Sequence, residues 1–416
     1  MSESILENLQ GILPMSATAD SNGVLSVGGI PVHELAEEFG TPLYVYDAAH
    51  LRSLCRRYSE AMETGEPQGL AIFATKAFPA MAMIEVATSA GMGVDVASGG
   101  ELYLALEAGA DPESIYFHGN AKSFAEIEAG LTAGVGRFVV DNFDELARLD
   151  ELASRLLRGG RKQKILVRTT PGIEAHTHEF IKTGHEDSKF GFFLSDGSAL
   201  EALAKAARSR YVEPTGIHMH IGSQILDLEP FVEEAKIAIE FLASARRELS
   251  LELSEVDFGG GLGARYMPGD NPPEPEQYVK TLKEAVIESC NVVGIPLPRI
   301  VVEPGRSITA NAGMTLYTVQ SVKTTPSGRT WVGIDGGMSD NLRPMLYGAD
   351  YLALAPTKLL EAHVLRVHIA GKHCESGDVV ARDVLLPRSI TAGDLLVTPA
   401  TGAYGWAMAS NYNGQP

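Results

Sequence analysis

Between about residues 70 and 303 the chain repeats one pattern eight times: a short apolar run, then a stretch with Ala, Leu and Glu at helical spacing. The runs are Leu70–Thr75, Gly93–Val96, Ile115–Phe117, Arg137–Val140, Lys164–Arg168, Gly216–His220, Glu255–Phe258 and Ile300–Val302. Between them lie segments such as Ala80–Ala90, Gly100–Ala108 and Ser123–Ala133. Strands buried on both faces read as continuous apolar runs, and amphipathic stretches of helical period cover them. Eight such units predict a (β/α)8 barrel rather than an open sheet.

After about residue 310 the pattern changes. The runs Thr315–Val322, Thr330–Asp335, His363–Ile369, Val379–Leu386 and Asp394–Pro399 follow one another with Gly-containing turns between them, which predicts a separate β domain of barrel or sandwich type. The segment Gly23–Val27 reads as a strand and Val32–Phe39 as a helix, and the N-terminal segment is expected to join the β domain. The predicted division is a barrel over 48–308, with 1–47 and 309–416 forming the β domain.

The formal charge of -19 disfavours nucleic acid and anionic membranes as partners. No apolar stretch approaches the ~20 residues that span a bilayer, and the N-terminus is acidic where a signal peptide would be basic. Three widely spaced cysteines, Cys55, Cys290 and Cys374, suit a reducing compartment. A cytoplasmic enzyme is expected.

In an eightfold barrel the chemistry sits where the strands end at their C-terminal side. The first run closes on Lys76, whose amine, if desolvated there, is a nucleophile toward aldehydes; the alternative is a lysine snorkelling from a strand end. The sixth closes on His218-Met-His220-Ile-Gly-Ser223-Gln224. Two histidines at i, i+2 share a side of a strand and suit a metal or an aromatic cofactor. His176, His178 and His185 in a polar loop are the remaining candidates for a metal set, and no metal is expected. The seventh closes on Asp257-Phe-Gly259-Gly260-Gly261-Leu-Gly263-Ala264. The following Arg-Tyr-Met-Pro does not open the helix that a dinucleotide fingerprint requires. The glycines therefore read as a cradle for one phosphate, or as a flexible turn. The eighth closes on Glu303-Pro304-Gly305-Arg306. A carboxylate there can keep a pyridine nitrogen protonated, or be a surface acid or a partner of Arg168, and Arg306 offers a planar fork for a carboxylate. The β domain adds Arg343, Tyr347, Cys374-Glu375-Ser-Gly-Asp378 and Gly402-Ala-Tyr404. Most lone cysteines are inert, and by itself Cys374 reads that way.

The order of these motifs, from Thr41-Pro-Leu-Tyr-Val-Tyr-Asp to the end, resembles that of the diaminopimelate decarboxylases, pyridoxal-phosphate enzymes of the alanine-racemase-like fold. The resemblance implies decarboxylation of meso-diaminopimelate to L-lysine, in a head-to-tail homodimer whose active sites are shared between subunits. It implies that Lys76 bonds the cofactor and His220 stacks on its ring. Asp95, Ser223, Gly260, Gly261, Glu303, Pro304, Gly305, Arg306 and Tyr404 would complete the cofactor site, with Glu303 on the ring nitrogen. Arg306, Arg343, Tyr347, Glu375 and Tyr404 would bind substrate. Cys374 would be the proton donor, supplied by the neighbouring subunit, and the segment 181–191 would cover the site. The family usually continues past Pro416 with a further strand and helix, and a missing strand would expose an edge of the β domain. The alternatives are a decarboxylase of the same fold acting on ornithine, arginine, lysine or carboxynorspermidine, a cofactor-binding homologue without turnover, and a metal-dependent barrel hydrolase. The first two keep the cofactor; the matching loop of the ornithine, arginine and lysine enzymes usually carries Asp after its Cys, where this chain has Glu375.

Overall fold

The computed structural model describes residues 6–172 and 189–415. The chain divides into two compact units, one of Leu54–Gly263 and Pro272–Gly305, the other of Met1–Ser53, Ala264–Asn271 and Arg306–Pro416.

The first unit is a closed barrel of eight parallel strands: β1 (Gly69–Ala74), β2 (Gly93–Val96), β3 (Ile115–Phe117), β4 (Arg137–Val140), β5 (Gln163–Thr170), β6 (Val212–His218), β7 (Glu255–Asp257) and β8 (Arg299–Val302). Each pairs in parallel with the next, and β8 closes on β1 through Ile300↔Gly69 and Val302↔Ala71. All eight apolar runs are strands. The interior is filled by Ile72, Tyr116, Val139, Leu166 and Val301, so the barrel is a packed core.

The helices between the strands begin and end where local chemistry dictates. Ser123 and Glu126 form a reciprocal capping box at the start of Phe124–Ala133, and Gly134 ends that helix in the left-handed conformation. Asn142 caps Phe143–Leu156, whose buried stripe is Leu146, Leu149, Leu152 and Ala153.

At the N-terminal end of the strands, Arg137 opens β4 and Glu255 opens β7. Arg137 Nε and Nη2 donate to Glu255 Oε2 at 3.1 and 2.8 Å, and the Tyr116 hydroxyl donates to the same carboxylate. Truncating one partner of a buried pair leaves the other charge unmatched, at a cost of about 3–5 kcal/mol. Glu255→Ala is therefore expected to lower the Tm of the protein by several degrees while leaving kcat at low temperature near wild type. Thermal unfolding and steady-state assays check both parts.

In the second unit the longest strand, β9 (Gly313–Thr324), organises the sheet. It pairs antiparallel with β10 (Thr330–Ile334) and with β13 (Leu395–Pro399), while β11 (His363–Ala370) pairs with β10 in parallel and with β12 (Val379–Pro387) antiparallel. In the N-terminal segment the strand that pairs with β9 is not the Gly23–Val27 run. Leu43–Tyr46 pairs with Gly313–Leu316 of β9. Leu25–Val27 instead forms a small sheet with Thr18–Ala19 and Ile30–Pro31 and buries Leu25 and Val27 in the core. The insertion Ala264–Asn271 also belongs to this unit, because Ala264 and Tyr266 are buried in the same core cluster.

Candidate active site

The loops that follow β6, β7, β8 and β1 are knitted together by their backbones. Ile225 N donates to Gly261 O and Gly263 N donates to Ile225 O, which sets the Ser223 turn beside the glycine run. Glu303 N donates to Gly259 O at 2.7 Å, and Ala74 N donates to Pro304 O at 3.2 Å. These approaches explain the glycines. A Cβ on Gly260 would overlap the Glu303 carbonyl oxygen, and Gly261 holds φ +118°, which side chains rarely adopt. The glycine turn is thus held by close backbone contacts to the neighbouring loops.

Lys76 sits in the single 3₁₀ turn Thr75–Ala77 after β1. Its Nζ lies 3.9 Å from Asp95 Oδ2, and Asp95 is buried on β2. The desolvation expected of this lysine is not present in the chain by itself, since its side chain is 47% exposed. Thr75 Oγ1 donates to Asp95 O and fixes the turn.

Glu303 is 4% exposed, which rules out a surface acid. His118 Nε2 is 2.7 Å from Glu303 Oε1 and 3.7 Å from Asp95 Oδ1, and His218 Nε2 is 3.6 Å from Glu303 Oε2. The two imidazoles meet edge to face, with ring centroids 4.9 Å apart. Burial by itself would push the Glu303 carboxyl up; His118 and then His218 outweigh it and hold the group well below the usual carboxylate range. Burial, and next the Glu303 charge, push Asp257 well above that range. Burial and the nearby charges of His118, Glu303 and Lys76 place Asp95 at about 6. The three carboxyls are thereby set apart, with Glu303 the one held ionised.

His118 was not among the candidates read from the sequence, although it follows the third run directly and the strand-end rule points to it. Arg168, offered as a partner for Glu303, instead has its ion-pair contact among the described residues with Asp141, at 4.0 Å. β6 ends at His218, so His220 lies two residues beyond the strand and the i, i+2 strand geometry does not extend to it. Burial pushes His218 down to about 3 and His220 well below the ordinary imidazole range, so both are neutral at pH 7. Among the described residues, the donor atoms of His118, His218, Asp257 and Glu303 lie within 4.8 Å of one another. This set omits His220, and His176, His178 and His185 lie outside the described residues, as does most of the segment 181–191.

The remaining candidates lie in the second unit. Arg306 and Arg343, both 6% exposed, donate from Nη1 to the same atom, Tyr266 Oη, each at 2.7 Å. The Arg306 guanidinium is 4.9 Å from the Tyr404 ring centroid, and that of Arg343 is 5.9 Å from the Tyr347 ring. Tyr404 itself holds φ +60°, a strained backbone state that the surrounding loop enforces. Cys374 and Glu375 are exposed. Their loop is shaped by Asp378, which accepts from Met338 N, His373 N and His373 Nδ1.

Residues 48–310 match the model of the pyridoxal-dependent decarboxylase, pyridoxal binding domain. The chain is 45% identical over 397 residues to diaminopimelate decarboxylase of Bacillus subtilis (strain 168), spanning 95% of this chain and 90% of that protein. It is 41% identical over 417 residues to the enzyme of Mycobacterium tuberculosis (strain ATCC 25618 / H37Rv), spanning 98% and 92%. The chain belongs to the diaminopimelate decarboxylase family. The crystal structure of the family member from M. jannaschii in co-complex with L-lysine superposes with a TM-score of 0.89 at 34% identity, covering 96% of this chain and 91% of that one. Among the described residues no helix is long and apolar enough to cross a membrane.

Proposed function

We propose that this chain decarboxylates meso-diaminopimelate at its D-configured centre to give L-lysine and CO2, with pyridoxal phosphate as cofactor. The observation that carries the substrate assignment is the convergence of Arg306 and Arg343 on one buried oxygen. Two buried guanidinium groups suit a substrate with a carboxylate to spare after the first has left as CO2.

The barrel residues fit the cofactor. Lys76 would bond it, the backbone of Gly260, Gly261, Pro304 and Gly305 with Ser223 would hold its phosphate, and neutral His220 would lie against its ring. Glu303, kept ionised by its histidine partners, would hold a proton at the ring nitrogen, with Asp95 beside Lys76. Bound there, pyridoxal phosphate supplies the electron sink for the charge left by the departing carboxylate. Arg306 and Arg343 bind the retained carboxylate, Glu375 binds the retained ammonium, and Tyr347 and Tyr404 pack beside the arginines. Fixing the far end of the substrate orients the end that reacts. Cys374 holds a proton at Sγ for the carbon that has lost CO2.

Cys374 and Glu375 are exposed on a single chain, which supports a head-to-tail homodimer in which the partner copy supplies them. Mixing inactive Lys76→Ala and Cys374→Ala proteins under exchange is then expected to restore about a quarter of wild-type activity, since half of randomly re-formed dimers carry one intact site of two. No recovery would place both residues in one subunit's site. The three unpaired cysteines suit the cytoplasm. Substrate choice is tested by CO2 release from meso-diaminopimelate, L-ornithine and L-lysine. Release from the first alone is expected, and release from either diamino monoacid alone would overturn the assignment of the arginines.

A further inference from the structure

The oxygen shared by the two arginines belongs to a residue with no role so far. Tyr266 lies three positions beyond the last glycine of the run, and it is 7% exposed. Its loop is pinned by Asp270 Oδ2, which accepts from Tyr266 N and Met267 N at 2.9 Å each. The Tyr351 ring packs edge-on at 5.5 Å and 86°. The backbone and ring of Tyr266 are thus held by contacts other than the two guanidinium groups, and both guanidinium groups donate to its oxygen.

Two guanidinium groups each 2.7 Å from one atom repel each other in a buried setting, and something must offset that repulsion. A phenol that already accepts two charge-assisted hydrogen bonds is poorly placed to keep its own proton, whereas a phenolate accepts both without penalty. Consistent with this, burial would raise the Tyr266 phenol, but Arg306 and Arg343 outweigh burial and hold it below the usual range. A phenolate between two arginines leaves one net positive charge, which a single substrate carboxylate neutralises. The arrangement also leaves a donor open: Arg343 Nε is buried and has no acceptor among the described residues.

We propose that Tyr266 is a positioning residue that locks Arg306 and Arg343 into one carboxylate-selective pair, and that it thereby sets the preference for an amino acid bearing a second carboxylate. This rests on the reading of the two arginines given above. Tyr266 acts through the arginines.

The test is Tyr266→Phe in the full-length holoenzyme. The KM for meso-diaminopimelate is expected to rise roughly tenfold or more, the worth of one charge-assisted hydrogen bond, with kcat changed by less than about threefold. Inhibition by L-lysine, which carries a carboxylate, should weaken by a similar factor, while inhibition by cadaverine, which carries none, should not. A merely structural role would weaken both inhibitors together and lower kcat, and that result, or an unchanged KM, would overturn the proposal. If wild-type protein does not turn over meso-diaminopimelate, the substrate assignment fails instead, and the two failures are distinguished. Should the variant not fold, absorbance at 295 nm in the wild type keeps the test open. One tyrosine is expected to ionise ahead of the rest, and its midpoint should rise when L-lysine binds but not when cadaverine binds. Absence of that response would also overturn the proposal.

Discussion

Lys76→Ala is expected to abolish decarboxylation, lowering kcat by at least about a thousandfold, and to remove the visible absorbance of the cofactor-loaded protein. The amine stands at the end of a barrel strand, in a turn fixed by the Thr75–Asp95 hydrogen bond. Its side chain is accessible and does not fill the core, so truncation leaves no buried cavity. The Tm of the apoprotein should therefore stay within a degree or two of wild type. Loss of activity with retained stability assigns the defect to chemistry, and absorbance spectra with and without added pyridoxal phosphate separate weak binding from failed bonding. An alanine variant with activity within about tenfold of wild type would remove Lys76 from the mechanism.

Glu303→Gln is expected to lower kcat by about a hundred- to a thousandfold at saturating cofactor, the scale of losing one charge that stabilises the reacting state. The amide keeps the shape and can still accept from His118. What it loses is the carboxylate charge beside the His118 imidazole. The sign follows from the same contacts. Because its carboxyl is held well below the usual range, Glu303 is charged throughout neutral pH, and its contribution is lost only as pH falls into the acid range. The wild-type rate should therefore show no titration of Glu303 near neutrality. A loss smaller than about fivefold in kcat would make Glu303 a structural partner of the histidines.

The barrel was legible because a strand buried on both faces must be apolar along its whole length, and a parallel neighbour needs a covering helix before it. The β domain was legible in its strands and less so in its pairing. Gly23–Val27 and Leu43–Tyr46 are both short apolar segments, and only long-range register decides which of them extends β9. Within the candidate site, the residues that end a run were easiest to read. His118 also ends one, but no second polar residue stood beside it to draw attention. Nothing local marks Tyr266, whose partners lie 40 and 77 positions away. Desolvation of Lys76 was expected from its place at a strand end, yet the turn that carries it leads the side chain out of the core.

The most direct measurement is to incubate the holoenzyme with meso-diaminopimelate in deuterated water and to analyse the amino-acid product by mass and by chiral chromatography. L-lysine carrying one carbon-bound deuterium, at the carbon that has lost CO2, is the expected result. D-lysine, a racemic product, or unconsumed diaminopimelate with folded, cofactor-loaded protein would contradict the assigned reaction.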